Sequence, residues 1–266
     1  MKKLRLIFAG AFVLGALASC EKEEVTTNEE EVQVMPTTKD QASSGYGGSL
    51  SQFTIVDNYL YTIDYRTLNI FLLDDAENPA MTESIDMGVG METVFAENGR
   101  LFIGANDGVH IFDISDPRSP QEVCEFEHVT SCDPVVANDN YAFATLRGGT
   151  ECGGSLSQLD IIDISDLDNP QLAGEQFLMN PYGLGLSNVD PNILYVCDGY
   201  TGLKAFDIST TNSWNVDMVM EKGDIDALDV ISDADNNLIV LTRGGIYQYD
   251  ATNPVELVEK SVIPVQ

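Results

Sequence analysis

The stretch IFDISDPRSP, residues 111–120, returns as IIDISDLDNP at 161–170 and as AFDISTTNSW at 205–214. A degenerate copy, IFLLDDAENP, occupies 70–79, and a shortened one, QYDATNP, occupies 248–254. With Leu72, Asp113, Asp163, Asp207 and Asp250 taken as equivalent, the spacings are 41, 50, 44 and 43 residues. A period of this length, filled with several short strands per unit, is the signature of propeller blades.

Each unit parses into four strands. In the second they are Glu92–Ala96, Leu101–Ala105, Val109–Ile114 and Gln121–Glu127, separated by turns at Asn98-Gly99 and Asp107-Gly108 and by a Pro-bounded loop. Asn-Gly and Asp-Gly between alternating apolar runs are strong hairpin signals. The fourth unit repeats the plan with Leu184–Ser187, Ile193–Cys197, Leu203–Ile208 and Asn215–Met220, and the remaining units fit 50–87, 134–178 and 225–263. A lone sheet of this size would leave both faces wet. Five packed radially cover one another, and closure hides the edges. The predicted fold is therefore all-β, a five-bladed β-propeller of four-stranded antiparallel sheets spanning 49–266.

The repeated phrase resembles that of the LVIVD repeat family, whose units carry an apolar strand ending in Asp-Ile/Val-Ser followed by a loop to Pro. The resemblance covers 50–263; it is close in units two, three and four and departs at Leu72 and in the shorter loop of unit five. It implies a propeller in an exported bacterial protein and implies no single activity. Asp113, Asp163, Asp207 and Asp250 read as structural, because an Asp before Ser or Thr at a strand end bonds backbone amides. A single active site would not need copies.

The N-terminus reads as an address. Lys2, Lys3 and Arg5 precede an apolar run from Leu6 to Leu17, whose 12 residues are too few to span a bilayer and suit a signal peptide over 1–19. Leu17-Ala18-Ser19-Cys20 resembles the bacterial lipobox, which implies that Cys20 is lipidated and begins the mature chain. Glu21-Lys22-Glu23-Glu24 looks like the surface-export signal of some gram-negative lipoproteins, and equally reads as an ordinary charged tether. Residues 20–48 are polar and aperiodic, a lipidated flexible linker. The expectation is an outer-membrane, lipid-anchored protein, either exposed at the cell surface or facing the periplasm.

The chain of 266 residues carries 13 Lys+Arg against 43 Asp+Glu, a net charge of −30. Such a surface repels phosphate backbones, so nucleic acid is not expected as a partner; the expected partners are the membrane, through the anchor, and a protein or glycan ligand. Four cysteines remain after Cys20. Cys132, in the loop leading into blade 3, and Cys152, in that blade's second-to-third loop, fall on the same propeller face and are predicted to form a disulfide. Cys124 and Cys197 fall on strands of different blades and are predicted to be free, apolar-packed thiols.

That same face gathers the starts of the innermost strands. It brings together Glu92, Asp133, Tyr182 and Asp226, with Asp64, Asp107, Arg147, Asp198 and Arg243 from second-to-third loops. The predicted ligand-binding set is Glu92, Asp133, Arg147, Tyr182, Asp226 and Arg243. No phosphate loop, dinucleotide fingerprint or nucleophile elbow occurs. His110 and His128 stand in no zinc or triad spacing, so no metal or cofactor is expected. Asp233-Ala-Asp235-Asn236-Asn237 begins like a calcium loop, lacks its later Gly and Glu, and reads as a hairpin turn. The function expected is a non-catalytic binding or scaffold module; the alternative is a glycoside hydrolase using the channel-mouth carboxylates.

Overall fold

The computed structural model describes residues 48–127, 134–149, 155–209 and 216–265. Cys20 with the rest of the N-terminal address, His128, Asp133, the Cys132–Cys152 pair and Trp214 lie outside them. The described residues form five antiparallel sheets of four strands, each sheet contiguous in sequence and ordered as the chain runs.

Blade 1 is β1 (Phe53–Val56), β2 (Tyr59–Ile63), β3 (Thr67–Leu72) and β4 (Ala80–Asp86). Blade 2 is β5 (Met91–Glu97), β6 (Arg100–Ala105), β7 (Gly108–Asp113) and β8 (Gln121–Glu127). Blade 3 is β9 (Val135–Ala137), β10 (Tyr141–Leu146), β11 (Gln158–Asp163) and β12 (Gln171–Phe177). Blade 4 is β13 (Leu184–Leu186), β14 (Ile193–Cys197), β15 (Leu203–Asp207) and β16 (Asp217–Lys222). Blade 5 is β17 (Ala227–Ser232), β18 (Asn237–Thr242), β19 (Gly245–Asp250) and β20 (Val258–Pro264). The protein is a five-bladed β-propeller, as the repeat predicts.

Local chemistry explains the regularity. Asp113, Asp163, Asp207 and Asp250 each accept the N–H two residues on, from Ser115, Ser165, Ser209 and Thr252, at 2.6, 2.9, 2.8 and 2.9 Å. These bonds turn the chain out of the third strand, and they hold the Asp113, Asp207 and Asp250 carboxyls below the usual range. Just before that turn, third and fourth strands slip by one residue in all five blades, between Ile70/Phe71, Ile111/Phe112, Ile161/Ile162, Ala205/Phe206 and Gln248/Tyr249. A bulge of this kind adds twist to the outer edge. The tight turns behave as their sequences require: Asn98 and Gly99 take φ of 47° and 74°, the left-handed pair a two-residue hairpin needs. Asp233 is consumed in its own turn, accepting the N–H groups of Asp235 and Asn237 at 2.9 and 2.8 Å.

Among the described residues, four apolar cores lie between successive blades. Val56, Tyr61, Ile63, Leu68 and Ile70 of blade 1 pack on Val94, Leu101, Ile103 and Phe112 of blade 2. Equivalent clusters join blades 2 and 3, 3 and 4, and 4 and 5. The phrase of one blade also caps the core beneath the preceding one. Tyr61 donates its hydroxyl to the Pro117 carbonyl at 2.9 Å, and Tyr195 donates to Pro254 at 2.8 Å.

Blades 5 and 1 meet differently. On blade 5 the side chains turned away from blade 4 include Ile231, Leu241 and Ile246, which stay 42, 40 and 38 % exposed. The outward face of blade 1 is partly polar: Ser84 donates to Asn69 at 2.7 Å, and Asn69 donates to Thr67 at 3.0 Å. No fifth dry core therefore forms between blades 5 and 1 among the described residues. Hydrogen bonds from residues 48–51 join the ring here. Ser49 Oγ accepts the Leu184 N–H at 2.8 Å and donates to Asp229 at 3.2 Å, while the Val94 N–H reaches the Ser51 carbonyl at 2.8 Å.

Candidate functional site

Four of the six predicted ligand-binding residues come together. Tyr182 lies in the loop between β12 and β13, and its backbone is pinned by three blades. Its N–H donates to the Cys197 carbonyl at 2.8 Å, its carbonyl accepts from Thr145 Oγ1 at 2.5 Å, and the following Gly183 N–H donates to Leu228 at 2.9 Å. Arg147 follows β10 and Arg243 follows β18, so both side chains leave second-to-third loops beside this anchor. The Arg147 guanidinium sits 4.1 Å from the Tyr182 ring centroid and that of Arg243 sits 5.9 Å away. Arg243 also donates from Nη2 to the Tyr182 hydroxyl at 2.8 Å and pairs through Nε with Asp226 Oδ2 at 2.9 Å. The other Asp226 oxygen, Oδ1, is buried with no hydrogen-bond partner among the described residues.

Two cations over one aromatic ring are each worth about 0.5–1 kcal/mol at an exposed site. They concentrate positive charge at one point of a protein whose net charge is −30. The cluster thus offers an aromatic face, guanidinium donors and one carboxylate acceptor.

The other predicted residues are placed elsewhere. Glu92 lines a hollow of about 290 Å³ with Leu50, Gln52, Tyr65, Met91 and Thr93 at the boundary of blades 1 and 2. Asp133 lies outside the described residues. Asp64 does not serve the channel mouth: it caps its own hairpin, accepting the N–H groups of Arg66 and Thr67 at 2.7 Å each. Asp198 is wholly buried, accepts the Met179 N–H at 3.0 Å and the Asn180 N–H at 2.6 Å, and pairs with the Lys204 ammonium. A charge enclosed so completely orders its loop and reaches no ligand. Asp107 lies in the cleft between blades 1 and 2, beside His110. Cys124 and Cys197 are free thiols, as expected, and burial pushes both thiol pKa values up.

One residue that sequence reasoning missed is Asp229, an acid interrupting the apolar strand β17. Burial pushes its pKa up to about 6, against hydrogen bonds from the Val230 N–H and Ser49 that pull it down. Its carboxylate is half-buried and closely packed on one side: a Cβ at Gly183 would stand 2.0 Å from Oδ1, so only glycine fits there. The raised pKa here follows from burial among its packed neighbours.

The chain matches no protein-family model and no curated protein. Solved structures resemble it. A protein from Lactobacillus plantarum superposes with a TM-score of 0.62 at 14 % identity, covering 80 % of this chain and 74 % of its own. The periplasmic gluconolactonase of Pseudomonas aeruginosa gives 0.57 at 12 %, covering 78 and 68 %. A functionally unknown protein from Desulfotomaculum acetoxidans gives 0.61 at 11 %, covering 84 and 70 %. The shared feature is the fold.

Proposed function

We propose that the chain is a non-catalytic binding module, held at the outer membrane by lipid on Cys20 and facing outward from the cell, with the Arg147–Tyr182–Arg243–Asp226 cluster as its ligand contact. The lipobox and the acidic stretch after it support the anchor and the orientation. The observation that carries the binding role is the convergence of two guanidinium groups on one tyrosine ring beside the Asp226 carboxylate. That combination suits a small polar ligand bearing a carboxylate or adjacent hydroxyl groups, a glycan or a peptide end. The surrounding negative surface excludes extended polyanions.

The test is a glycan and peptide binding screen with the full chain, repeated with Arg243→Ala and Tyr182→Ala. Loss of binding by tenfold or more, with unchanged circular dichroism, supports the assignment. Binding that survives both changes moves the contact elsewhere. Turnover of a saccharide that disappears in Asp226→Asn would install the hydrolase reading in its place.

A further inference from the structure

The strand pairing brings two residues of β8 to the same side as His110. His110 on β7 stands directly across from Glu125, while Phe112 stands across from Glu122. Glu122 and Glu125 are three apart, and in a regular strand they would point to opposite faces. The bulge at Ile111/Phe112 inserts one residue between the two pairings and turns both carboxylates toward the imidazole. Asp107 reaches in from the preceding turn.

The distances separate two kinds of contact. Nδ1 of His110 lies 2.8 Å from Glu122 Oε1, the length of a charge-assisted hydrogen bond. Nε2 lies 3.4 Å from Asp107 Oδ1 and 3.9 Å from Glu125 Oε1, longer than such a bond. Glu122 is therefore the closest partner of the ring, through Nδ1. Nε2 faces two carboxylate oxygens, both beyond the length of a charge-assisted bond. The imidazole is 9 % exposed, while Asp107 and Glu125 are 55 and 41 % exposed. One rigid buried nitrogen thus faces two adjustable oxygens in a cleft of about 550 Å³.

Blade 4 shows what such a place requires. Lys204 is three residues before its phrase Asp, as His110 is, and its ammonium lies against Asp198 from the preceding loop and 3.9 Å from Glu221 across the strand pair. There a covalently attached cation fills the space between loop acid and strand acid. In blade 2 the cation is missing and a third carboxylate, Glu122, is added. Even a protonated His110 would leave that group with an excess of negative charge, whereas a divalent ion beside a neutral imidazole offsets two of the three carboxylates.

We propose that Asp107, His110 and Glu125 form a site for a first-row divalent transition-metal ion in the cleft between blades 1 and 2, with Glu122 orienting the histidine. One imidazole nitrogen and two carboxylate oxygens, completed by water, suit zinc and its neighbours in the series. The three ligand atoms lie within 4.8 Å of one another. Bonds of about 2.0–2.2 Å in a tetrahedral site place neighbouring ligand atoms about 3.4 Å apart. The His110–Asp107 edge already has that length, and the exposed Glu125 closes the rest by a rotamer change. A carboxylate that fixes the tautomer of a liganding histidine is a common supporting contact.

The test is calorimetric titration of the full chain, stripped with chelator, against zinc chloride, with cobalt(II) absorption as the reporter of ligand geometry. The expected result is one equivalent bound with a rise in Tm. Asp107→Asn and His110→Gln should each lower affinity by more than tenfold, and Glu122→Gln by about tenfold. Asp107 is exposed, so its variant keeps the test valid if His110→Gln misfolds. Absence of stoichiometric binding, or binding and cobalt spectrum unchanged in Asp107→Asn, would overturn the site.

Discussion

The boundary between blades 1 and 2 and the boundary between blades 5 and 1 come from one repeat pattern and end differently. In the first, strand residues of both blades interdigitate and lose almost all solvent. In the second, Ile231, Leu241 and Ile246 remain partly wet, and Ser49, hydrogen-bonded to Asp229 and to the Leu184 backbone, ties the join. The terminal units of repeat arrays carry altered outward faces. Thr67, Asn69 and Ser84 are that alteration in blade 1. The lesson is that burial stabilises four joints of the ring, and polar bonds align the fifth.

The largest expected effect breaks a dry joint. Phe102, 1 % exposed between blades 2 and 3, should cost about 3–5 kcal/mol when changed to Ala, read by urea unfolding. Leu241→Ala at the wet joint should cost under about 1 kcal/mol; equal losses would mean that the fifth joint is packed in solution.

The next effect concerns the polar tie. A carboxyl with a pKa raised to about 6 binds its proton more tightly folded than unfolded. Stability contributed by neutral Asp229 is therefore present below about pH 4 and declines as pH rises to about 6. Asp229→Asn should stabilise the protein at pH 7.5 by up to about 3 kcal/mol and change little at pH 4. A flat difference between the two pH values would show that the buried charge is satisfied by means other than its proton.

The smallest effect tests the repeat itself. Asp113→Ala, Asp163→Ala and Asp207→Ala should each cost about 0.5–1.5 kcal/mol, with similar shifts in Tm, because each removes the same turn bond. A loss of ligand binding in one of them alone would give that aspartate a role beyond its turn.

Much of the architecture was legible. β14 (Ile193–Cys197) and β8 (Gln121–Glu127) coincide with their sequence expectations, because alternation and turn residues act over a few positions and need no distant partner. Tyr182, Arg147, Arg243 and Asp226 were also legible as a group, since the face of a propeller from which each loop emerges follows from strand order alone. Asp198 misled, because its burial depends on Lys204 and on the Met179 and Asn180 amides folding over it. His110 was passed over because its companions at 107, 122 and 125 follow no linear spacing; a bulge turns two of them inward.

By itself the amino-acid sequence determined the number of blades, the strands within them and the chemistry of every repeated turn, since those rest on interactions between near neighbours. Tertiary structure alone decided which carboxylates carry exposed charge, which are sealed, and which of the five joints excludes water. Those outcomes depend on what one blade places against the next, and no local stretch of chain contains that information.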